Sequence, residues 1–343
     1  MGVINLSAVR RRLLTLALIT GLLALACSKR AEPTEGAGSK PARLRLAVIP
    51  KGTTHEFWKS VHAGAVKAAR ELDVDLVWKG PLKEDDLKSQ IDLVQSFTAQ
   101  KVSGIALAPL NDKALVASVN GAVKSGSPVV IFDSALSGGN IVSFVATDNR
   151  AAGRLAASRA VEVAGGAAKI VVLRYQEGSA STHDREEGFL EGVKGKPGLS
   201  VVSDNQYGGA TTESAFAAAE SLLLAQSAAG GGVTLVFTPN ESTTFGMLLA
   251  LEKAKLAGKI HFFGFDVSDK LMKGVETGEI DALVLQNPFR MGDLAVHALV
   301  DHLRGQAVPA RTDTGAELLD RKNASSPEVR ALVKPDLAKW LGP

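Results

Sequence analysis

Short and long apolar segments alternate along this chain from residue 44 to residue 303, and this alternation restricts the fold more than any other feature. The short runs, such as Val129–Phe132, are unbroken and rich in β-branched residues, which predicts buried strands. The longer segments between them have the apolar spacing of amphipathic helices. Strands that are apolar on both faces and separated by helices form parallel sheets that helices cover on both sides. The pattern therefore predicts an α/β protein with doubly wound parallel sheets.

Two parts of the chain repeat one local pattern. Residues 108–112 follow a strand, and a helix then leads to a second strand that ends at Asp133. Residues 238–242 are likewise followed by a helix and by a strand that ends at Asp266. Two similar domains that face each other would leave a cleft between them. Because all strand–helix–strand units look alike to some degree, the repeat alone does not establish two domains.

The first 42 residues predict export rather than a folded domain. A basic cluster at 10–12 precedes an apolar run at 13–26 that is too short to span a bilayer comfortably, as in a cleavable signal peptide. The sole cysteine, Cys27, resembles the lipobox cysteine of bacterial lipoproteins, which is acylated after cleavage. We expect a signal peptide over 1–26 and a lipidated Cys27 that begins a flexible polar tether over 27–42. A retained membrane anchor, or a signal peptide that merely contains a cysteine, are the alternatives.

Charge and histidine placement argue against two classes of function. The formal net charge is only +3 over 343 residues, and basic and acidic residues are interleaved, which is unlike a nucleic-acid-binding surface. A transcription regulator would also need a DNA-binding motif before residue 44, where the signal and tether lie. The six histidines form no metal-binding pair, and no nucleophile elbow is present. We therefore expect no enzymatic activity, no cofactor and no metal.

Polar side chains follow the predicted strands at the edge where open α/β sheets bind ligands. Asp133 and Asp266 each end a strand, Asn240 follows another, and Gln286 ends the last clear one. Carboxylates accept hydrogen bonds from hydroxyls, and amides both donate and accept, so the set suits one ligand rich in hydroxyls. Any single member could equally well be a helix cap or a turn residue.

The loop between the first strand and its helix adds aromatic side chains to this edge. It contains His55, Phe57 and Trp58. An aromatic ring can lie against the C–H face of a sugar while polar groups bind the edges of that sugar. The two aromatic residues could also be an ordinary apolar start to the helix. We expect one of them in the core and the other in the cleft.

Together these residues resemble the periplasmic binding proteins of ribose-type sugar importers, which have the type 1 periplasmic binding fold. The resemblance covers residues 44 to about 319, and its matching stretches are 57–58, 130–133, 147–149 with Gly153, 185–189, 239–241, 264–266 and 286–288. It implies an aromatic wall at Tyr207 and sugar contacts from His55, Phe57, Trp58, Asp133, Asn240, Asp266 and Gln286.

Two positions depart from that family. The ribose binders have Arg after the strand-end aspartate, where this chain has Ser134. They have a second Arg two residues before the one that matches Arg185, where this chain has His183. We include Ser134 and His183 in the predicted site. Because two fork-shaped donors are replaced, the hydroxyl pattern that can be recognised changes, and the ligand need not be ribose.

The resemblance also implies the domain organisation and the partners. It implies two doubly wound parallel-sheet domains joined by a three-segment hinge: an N-terminal lobe of 43–147 and 287–311, a C-terminal lobe of 148–286 and 312–323, and a C-terminal extension of 324–343. Hinge closure would capture a small sugar in the periplasm or cell envelope and deliver it to the permease of an ABC transporter. A sensor that presents its bound ligand to a membrane receptor is the alternative.

Overall fold

The structure, a computed structural model, describes residues 43–228 and 232–342. The predicted signal peptide, Cys27 and the tether lie outside the described residues. Within those two ranges, the helices are all too short or too polar to cross a membrane.

Strands and helices alternate along the chain as the apolar pattern predicts. The first part contains β1 (Arg45–Ile49), α1 (Glu56–Glu71), β2 (Asp75–Trp78), α2 (Leu87–Ala99), β3 (Gly104–Leu107), α3 (Val116–Lys124), β4 (Val129–Phe132) and β5 (Ser143–Ala146). The middle part contains α4 (Asn149–Ala164), β6 (Ala168–Arg174), α5 (Ala180–Val193), β7 (Leu199–Tyr207), α6 (Thr212–Ala228), β8 (Leu235–Phe237), α7 (Glu241–Lys253), β9 (His261–Phe265), α8 (Asp269–Thr277) and β10 (Ala282–Gln286). The last part contains α9 (Pro288–Leu303), β11 (Arg311–Asp313), β12 (Ala316–Asp320), α10 (Pro327–Val333) and α11 (Leu337–Leu341).

These strands form two six-stranded sheets with equivalent strand orders. The first sheet has the order β2-β1-β3-β4-β5-β11, and the second has the order β7-β6-β8-β9-β10-β12. All neighbours are parallel except β12, which runs antiparallel to β10. In each sheet the strand order reverses beside the second strand from one edge, β1 or β6, which creates the switch point at which doubly wound folds bind ligands. Below, each sheet with its covering helices is called the N-terminal lobe or the C-terminal lobe.

Alternate side chains of each strand enter different apolar cores. In β1, Leu46 and Val48 pack on one face of the first sheet with residues of α1 and α9. Ala47 and Ile49 pack on the opposite face with residues of α2 and α3. The second sheet has a core on each face in the same way. Burial on both faces explains why the strands are unbroken apolar runs.

Glycines let two pairs of helices pack against each other at backbone distance. A Cβ atom on Gly64 of α1 would overlap the carbonyl oxygen of Phe289 in α9, and one on Gly153 of α4 would overlap that of Arg185 in α5. Any larger residue would push these helices apart. The second contact therefore fixes α5, and with it Arg185, relative to the sheet.

The chain passes between the lobes after β5, after β10 and after β11. Because β11 pairs with β5 as far as Asp313, the predicted boundary between 311 and 312 falls inside a strand of the first sheet. The C-terminal extension passes between the lobes once more. Val329 of α10 is buried in a core of the C-terminal lobe, whereas Arg70 of α1 donates hydrogen bonds to the carbonyl oxygens of Lys339 (3.2 Å) and Trp340 (2.9 Å).

Candidate functional site

Each sheet places an aspartate at the carboxyl end of an equivalent strand. Asp133 follows β4 and Asp266 follows β9, and both adopt left-handed backbone conformations, with φ of 61° and 63°. The backbone N–H of Asp133 donates to the carbonyl of Val145 (3.0 Å), and that of Asp266 donates to Val284 (2.9 Å). A left-handed conformation is uncommon for residues other than glycine and is found more often at functional sites. The local repeat in the sequence thus corresponds to two matching backbone turns.

The carboxyl ends of the two sheets meet at a cavity of about 30 Å³. The predicted residues that line it are His55, Phe57, Trp58, Asp133, Asn240, Asp266 and Gln286. The cavity is also lined by Lys51, Glu84, Tyr175, Ser181, Thr182, Arg185 and Glu241. Ligand pockets are usually about 300–1,000 Å³. Side chains of the two lobes fill most of this space, so a ligand of ordinary size enters only when the lobes separate.

A buried ion pair lies on the N-terminal-lobe side of the cavity. His55 Nδ1 is 2.7 Å from Glu84 Oε1, and Glu84 also accepts hydrogen bonds from Trp58 Nε1 (2.6 Å) and the Tyr175 hydroxyl (2.5 Å). Burial lowers the pKa of His55, but the charge and the hydrogen bond of Glu84 outweigh it, and the pKa is raised to about 9. Burial raises the pKa of Glu84, but the charge and the hydrogen bond of His55 lower it to about 2. Both groups are therefore charged at neutral pH.

Lys51, two residues beyond β1, connects the two lobes. Its Nζ lies 3.2 Å from Asp133 Oδ2 and donates to the hydroxyls of Ser179 (3.2 Å) and Ser181 (3.0 Å) in the C-terminal lobe. Its side chain is only 4% exposed, and a buried ammonium needs such partners. The hydroxyl of Ser134 accepts a hydrogen bond from the backbone N–H of Ser181 (3.1 Å). Ser134 therefore contacts the start of α5 and does not line the cavity.

Arg185 and Asp266 lie on the side of the cavity that the C-terminal lobe forms. Arg185 Nη1 is 3.9 Å from Asp266 Oδ2, and Gln286 Nε2 donates to Asp266 Oδ1 (2.7 Å). Burial raises the pKa of Asp266, and the charge of Arg185 acts in the opposite direction. Within the described residues, Arg185 Nη2 and Gln286 Oε1 are buried and have no hydrogen-bond partner. One strong donor and one acceptor are thus free at the cavity.

Asn240 lines the cavity and also caps helix α7. Its Oδ1 accepts a hydrogen bond from the backbone N–H of Thr243 (3.3 Å), and the Thr243 hydroxyl accepts one from the Asn240 N–H (3.3 Å), which makes a capping box. Its Nδ2 donates to the hydroxyl of Ser242 (3.2 Å). The capping interpretation is therefore correct for Asn240, and the side chain is at the same time a wall of the cavity.

Phe57 and Trp58 meet edge to face at the start of α1, with ring centroids 4.9 Å apart. Trp58 is 3% exposed and lies 6.3 Å from the ring of Phe132, within the core of the N-terminal lobe. Phe57 is half-buried at the edge of that core. Trp58 is thus the core residue of the pair, although its ring also reaches the cavity.

One group of metal-ligating side chains lies close together in the described part of the chain, at Glu71, Asp293 and His297. The Nζ atom of Lys67 donates to Glu71 Oε2 (2.8 Å) and to Asp293 Oδ1 (3.0 Å). An ammonium group therefore already contacts both carboxylates, which does not favour a metal ion there.

Comparison with known proteins places the chain in a family. The family model described as a periplasmic binding protein domain matches residues 46–307. The chain belongs to the periplasmic binding proteins. The D-allose-binding periplasmic protein of Escherichia coli is 27% identical to it over 288 residues, which are 81% of this chain and 91% of that protein. The ribose import binding protein of Haemophilus influenzae is 26% identical over 278 residues, which are 80% and 90%.

Solved structures confirm the predicted fold. A carbohydrate transporter solute binding protein of Agrobacterium radiobacter, in complex with D-arabinose, has a TM-score of 0.81 and 32% identity, and the match covers 86% of this chain and 100% of that one. The periplasmic component of an ABC-type sugar transport system from Hahella chejuensis has a TM-score of 0.76 and 35% identity, with 80% and 99% covered. The type 1 periplasmic binding fold is therefore established, and the chain is a binding protein rather than an enzyme.

Two predicted site residues of this periplasmic binding protein lie away from the cavity. His183 and Tyr207 line a separate surface pocket of about 410 Å³. His183 is two residues before Arg185 on α5, so its side chain lies about 200° around the helix axis from that of Arg185. Tyr207 is 44% exposed at the end of the edge strand β7. The structure does not bring these two residues together with the residues that line the cavity.

Lys51 and Glu84 line the cavity but are absent from the predicted site, and the reasons differ. Lys51 lies just beyond the first strand, so the rule that selected the other strand-end residues would have selected it too. Glu84 lies between β2 and α2 in a run of charged residues, 83–86. No local signal tells which acid of that run is buried, because its burial depends on His55 and Tyr175 from distant segments.

Proposed function

We propose that this chain is the extracytoplasmic substrate-binding lipoprotein of an ABC transporter, which captures a monosaccharide and delivers it to a membrane permease. The names of its relatives support a sugar ligand, since they include D-allose-binding and ribose import binding proteins. Similar solved structures contain D-arabinose and D-fucose.

The unpaired polar atoms at the cavity carry this proposal. Arg185 Nη2 and Gln286 Oε1 are buried without partners among the described residues, and such atoms cost free energy unless a ligand satisfies them. A sugar hydroxyl can accept from the first and donate to the second. The aspartates and the two aromatic rings at the same cavity supply the remaining contacts that a sugar ring needs.

We further propose that the ligand contacts come from both lobes. Those of the N-terminal lobe are Lys51, His55, Phe57, Trp58 and Asp133, and those of the C-terminal lobe are Arg185, Asn240, Asp266 and Gln286. The lobes comprise residues 43–147 with 287–313 and residues 148–286 with 314–323. Rotation about their connections would open the cavity and then close it around the ring.

A ligand panel tests the sugar proposal. Thermal-shift measurements with D-ribose, D-allose, D-arabinose and D-fucose, followed by calorimetry, should find at least one sugar that binds. Gln286→Leu, which removes the free acceptor, should weaken that binding by about tenfold or more. Tyr207→Ala is the matched control and should bind like the wild type. A panel without binding, or equal effects of the two substitutions, would contradict the proposal.

We also propose that the mature chain begins at an acylated Cys27, on the outer side of a bacterial membrane. More than one acyl chain is needed for firm anchoring, as in bacterial lipoproteins. Mass spectrometry of protein extracted from membranes should show the lipid, and Cys27→Ser should release the protein into the soluble fraction. An unmodified thiol, or an unchanged distribution of the variant, would contradict this anchoring.

Uptake measurements separate the importer from a sensor. Deletion of the gene for this protein should abolish cellular uptake of the radiolabelled sugar that the panel identifies. Normal uptake together with a lost cellular response to that sugar would instead identify a sensor.

A further inference from the structure

Helix α1 of the N-terminal lobe is capped by a side chain of the C-terminal lobe. Its N-cap residue, His55, makes no capping hydrogen bond with its side chain, because the imidazole is paired with Glu84. The first backbone N–H groups, those of Glu56 and Phe57, donate instead to Glu241 Oε1 (3.3 Å) and Oε2 (3.2 Å). Glu241 is the first residue of α7. A helix start of one lobe is thus completed by the other lobe.

This contact is also connected to the candidate ligand site. The backbone N–H of Glu241 donates to Asp266 Oδ2 (3.1 Å), so the position of Glu241 depends on a proposed ligand-binding carboxylate. On the other side of the contact, Phe57 is one of the two aromatic residues that line the cavity. A carboxylate at a helix N-terminus is favoured by the free N–H groups and by the helix dipole. The arrangement exists only while the lobes are together, because its donors and its acceptor belong to different lobes.

We propose that Glu241 is a closing latch, a positioning residue that stabilises the closed cleft by capping α1 and holding the loop with His55 and Phe57 against the ligand. The role in ligand retention rests on the proposed function, whereas the role in lobe closure does not. When the lobes separate, the carboxylate and the two N–H groups return to water. The latch therefore adds to closure through contacts between the lobes, although Glu241 also lines the cavity.

Protonation of Glu241 supplies a readout that a merely structural residue would not give. Burial raises its pKa to about 7, while the charge of His55 and the N–H groups of Phe57 and Glu56 oppose this shift and the charge of Asp266 adds to it. The ordinary pKa of glutamate is 4.5, so closure takes up a proton between about pH 4.5 and pH 7. Closure should therefore become more favourable as the pH falls through this range.

The test compares two substitutions at this position in the full chain. Glu241→Ala removes the cap and should accelerate ligand dissociation by about tenfold, with the melting temperature nearly unchanged. Glu241→Gln keeps one of the two acceptor oxygens and cannot ionise, so it should retain part of the closure and lose this pH dependence. Glu213→Ala, which removes an exposed acid from the first turn of α6 in the same lobe, is the control and should behave like the wild type.

Closure is measured as the distance between two spin labels, attached to the cysteines of Lys88→Cys and Lys259→Cys in a chain that also carries Cys27→Ser. The distance is measured without sugar and with D-ribose, D-allose and D-arabinose. Glu241→Ala should shift the distance distribution towards the separated lobes even when no sugar is added. Distances and dissociation rates equal to those of Glu213→Ala would overturn the latch. A chain that binds none of these sugars but opens on loss of Glu241 would contradict the sugar proposal and leave the latch supported.

Discussion

Replacement of Glu84 by glutamine removes the charge that keeps His55 protonated and leaves a side chain of the same shape. The pKa of His55 is about 9, against an ordinary value of 6.5, a rise of about 2.5. At about 1.36 kcal/mol for each pH unit, the folded protein favours the charged imidazole by about 3 kcal/mol. The lowered pKa of Glu84 reflects the same pair, so its contribution is not added to this figure.

The stabilisation by this pair depends on pH in a defined direction. The raised pKa of His55 contributes fully below the unfolded value of about 6.5 and is lost as the pH rises through about 9. The lowered pKa of Glu84 contributes above 4.5 and is lost as the pH falls towards about 2. At pH 7 the wild type should therefore exceed Glu84→Gln in free energy of unfolding by about 3 kcal/mol. At pH 10 most of this difference should be gone.

Urea unfolding at pH 7 and pH 10 measures the difference in free energy of unfolding. NMR titration of the His55 imidazole measures its pKa, and loss of the signal in His55→Gln assigns it. Glu71→Gln, which removes an exposed carboxylate paired with Lys67, is the control and should change the free energy of unfolding much less. Titration of His55 near 6.5 in the wild type would refute the reasoning. A stability loss in Glu84→Gln that is the same at pH 7 and pH 10 would refute it as well.

Three further results are expected. Asp266→Asn tolerates the left-handed backbone but removes the charge beside Arg185. Calorimetry should therefore find that sugar binding is weaker by about one to two orders of magnitude. Wild-type affinity of this variant would exclude Asp266 from the site. Gly153→Ala should lower the free energy of unfolding by about 1–3 kcal/mol, because its Cβ meets the backbone of α5. Gly121→Ala, in α3 with open space around it, should be neutral or stabilising in thermal unfolding. Trp58→Phe should abolish any ligand-induced change in tryptophan fluorescence, and persistence of that change would assign it to another tryptophan.

Residues whose position follows from the end of an apolar run could be predicted from the sequence. Asp133, Asp266 and Gln286 each stand where a buried strand stops, and the parallel sheet brings such positions to one edge whatever the rest of the chain does. The structure places all three at the cavity. His183 was taken from the family pattern instead, and the turn of α5 carries it away from that edge.

Elements whose buried face is polar, or that have almost no buried face, could not be predicted in the same way. Helix α5 begins at Ala180, but apolar spacing predicts it only from Glu187, because Ser181, Thr182 and Arg185 of its first turns are buried polar residues at the cavity. The edge strand β11 contains no buried residue, and β12 contains only Leu319. Apolar periodicity is absent where a helix faces a polar site or a strand lies at the edge of a sheet.

Both ends of the described chain are held at one edge of the N-terminal lobe. Arg43 forms ion pairs with Asp73 (2.7 Å) and Asp75 (2.9 Å), and Arg70 holds the last helix. Asp75 is the first residue of β2, so this edge is where the parallel strands start, and the cavity is where they end. The anchor proposed above would join this edge through the segment before Arg43, and the N-terminal lobe would then be the stationary lobe and the C-terminal lobe the one that moves. The proposed opening and closing of the cleft would then leave the anchored end of the N-terminal lobe in place.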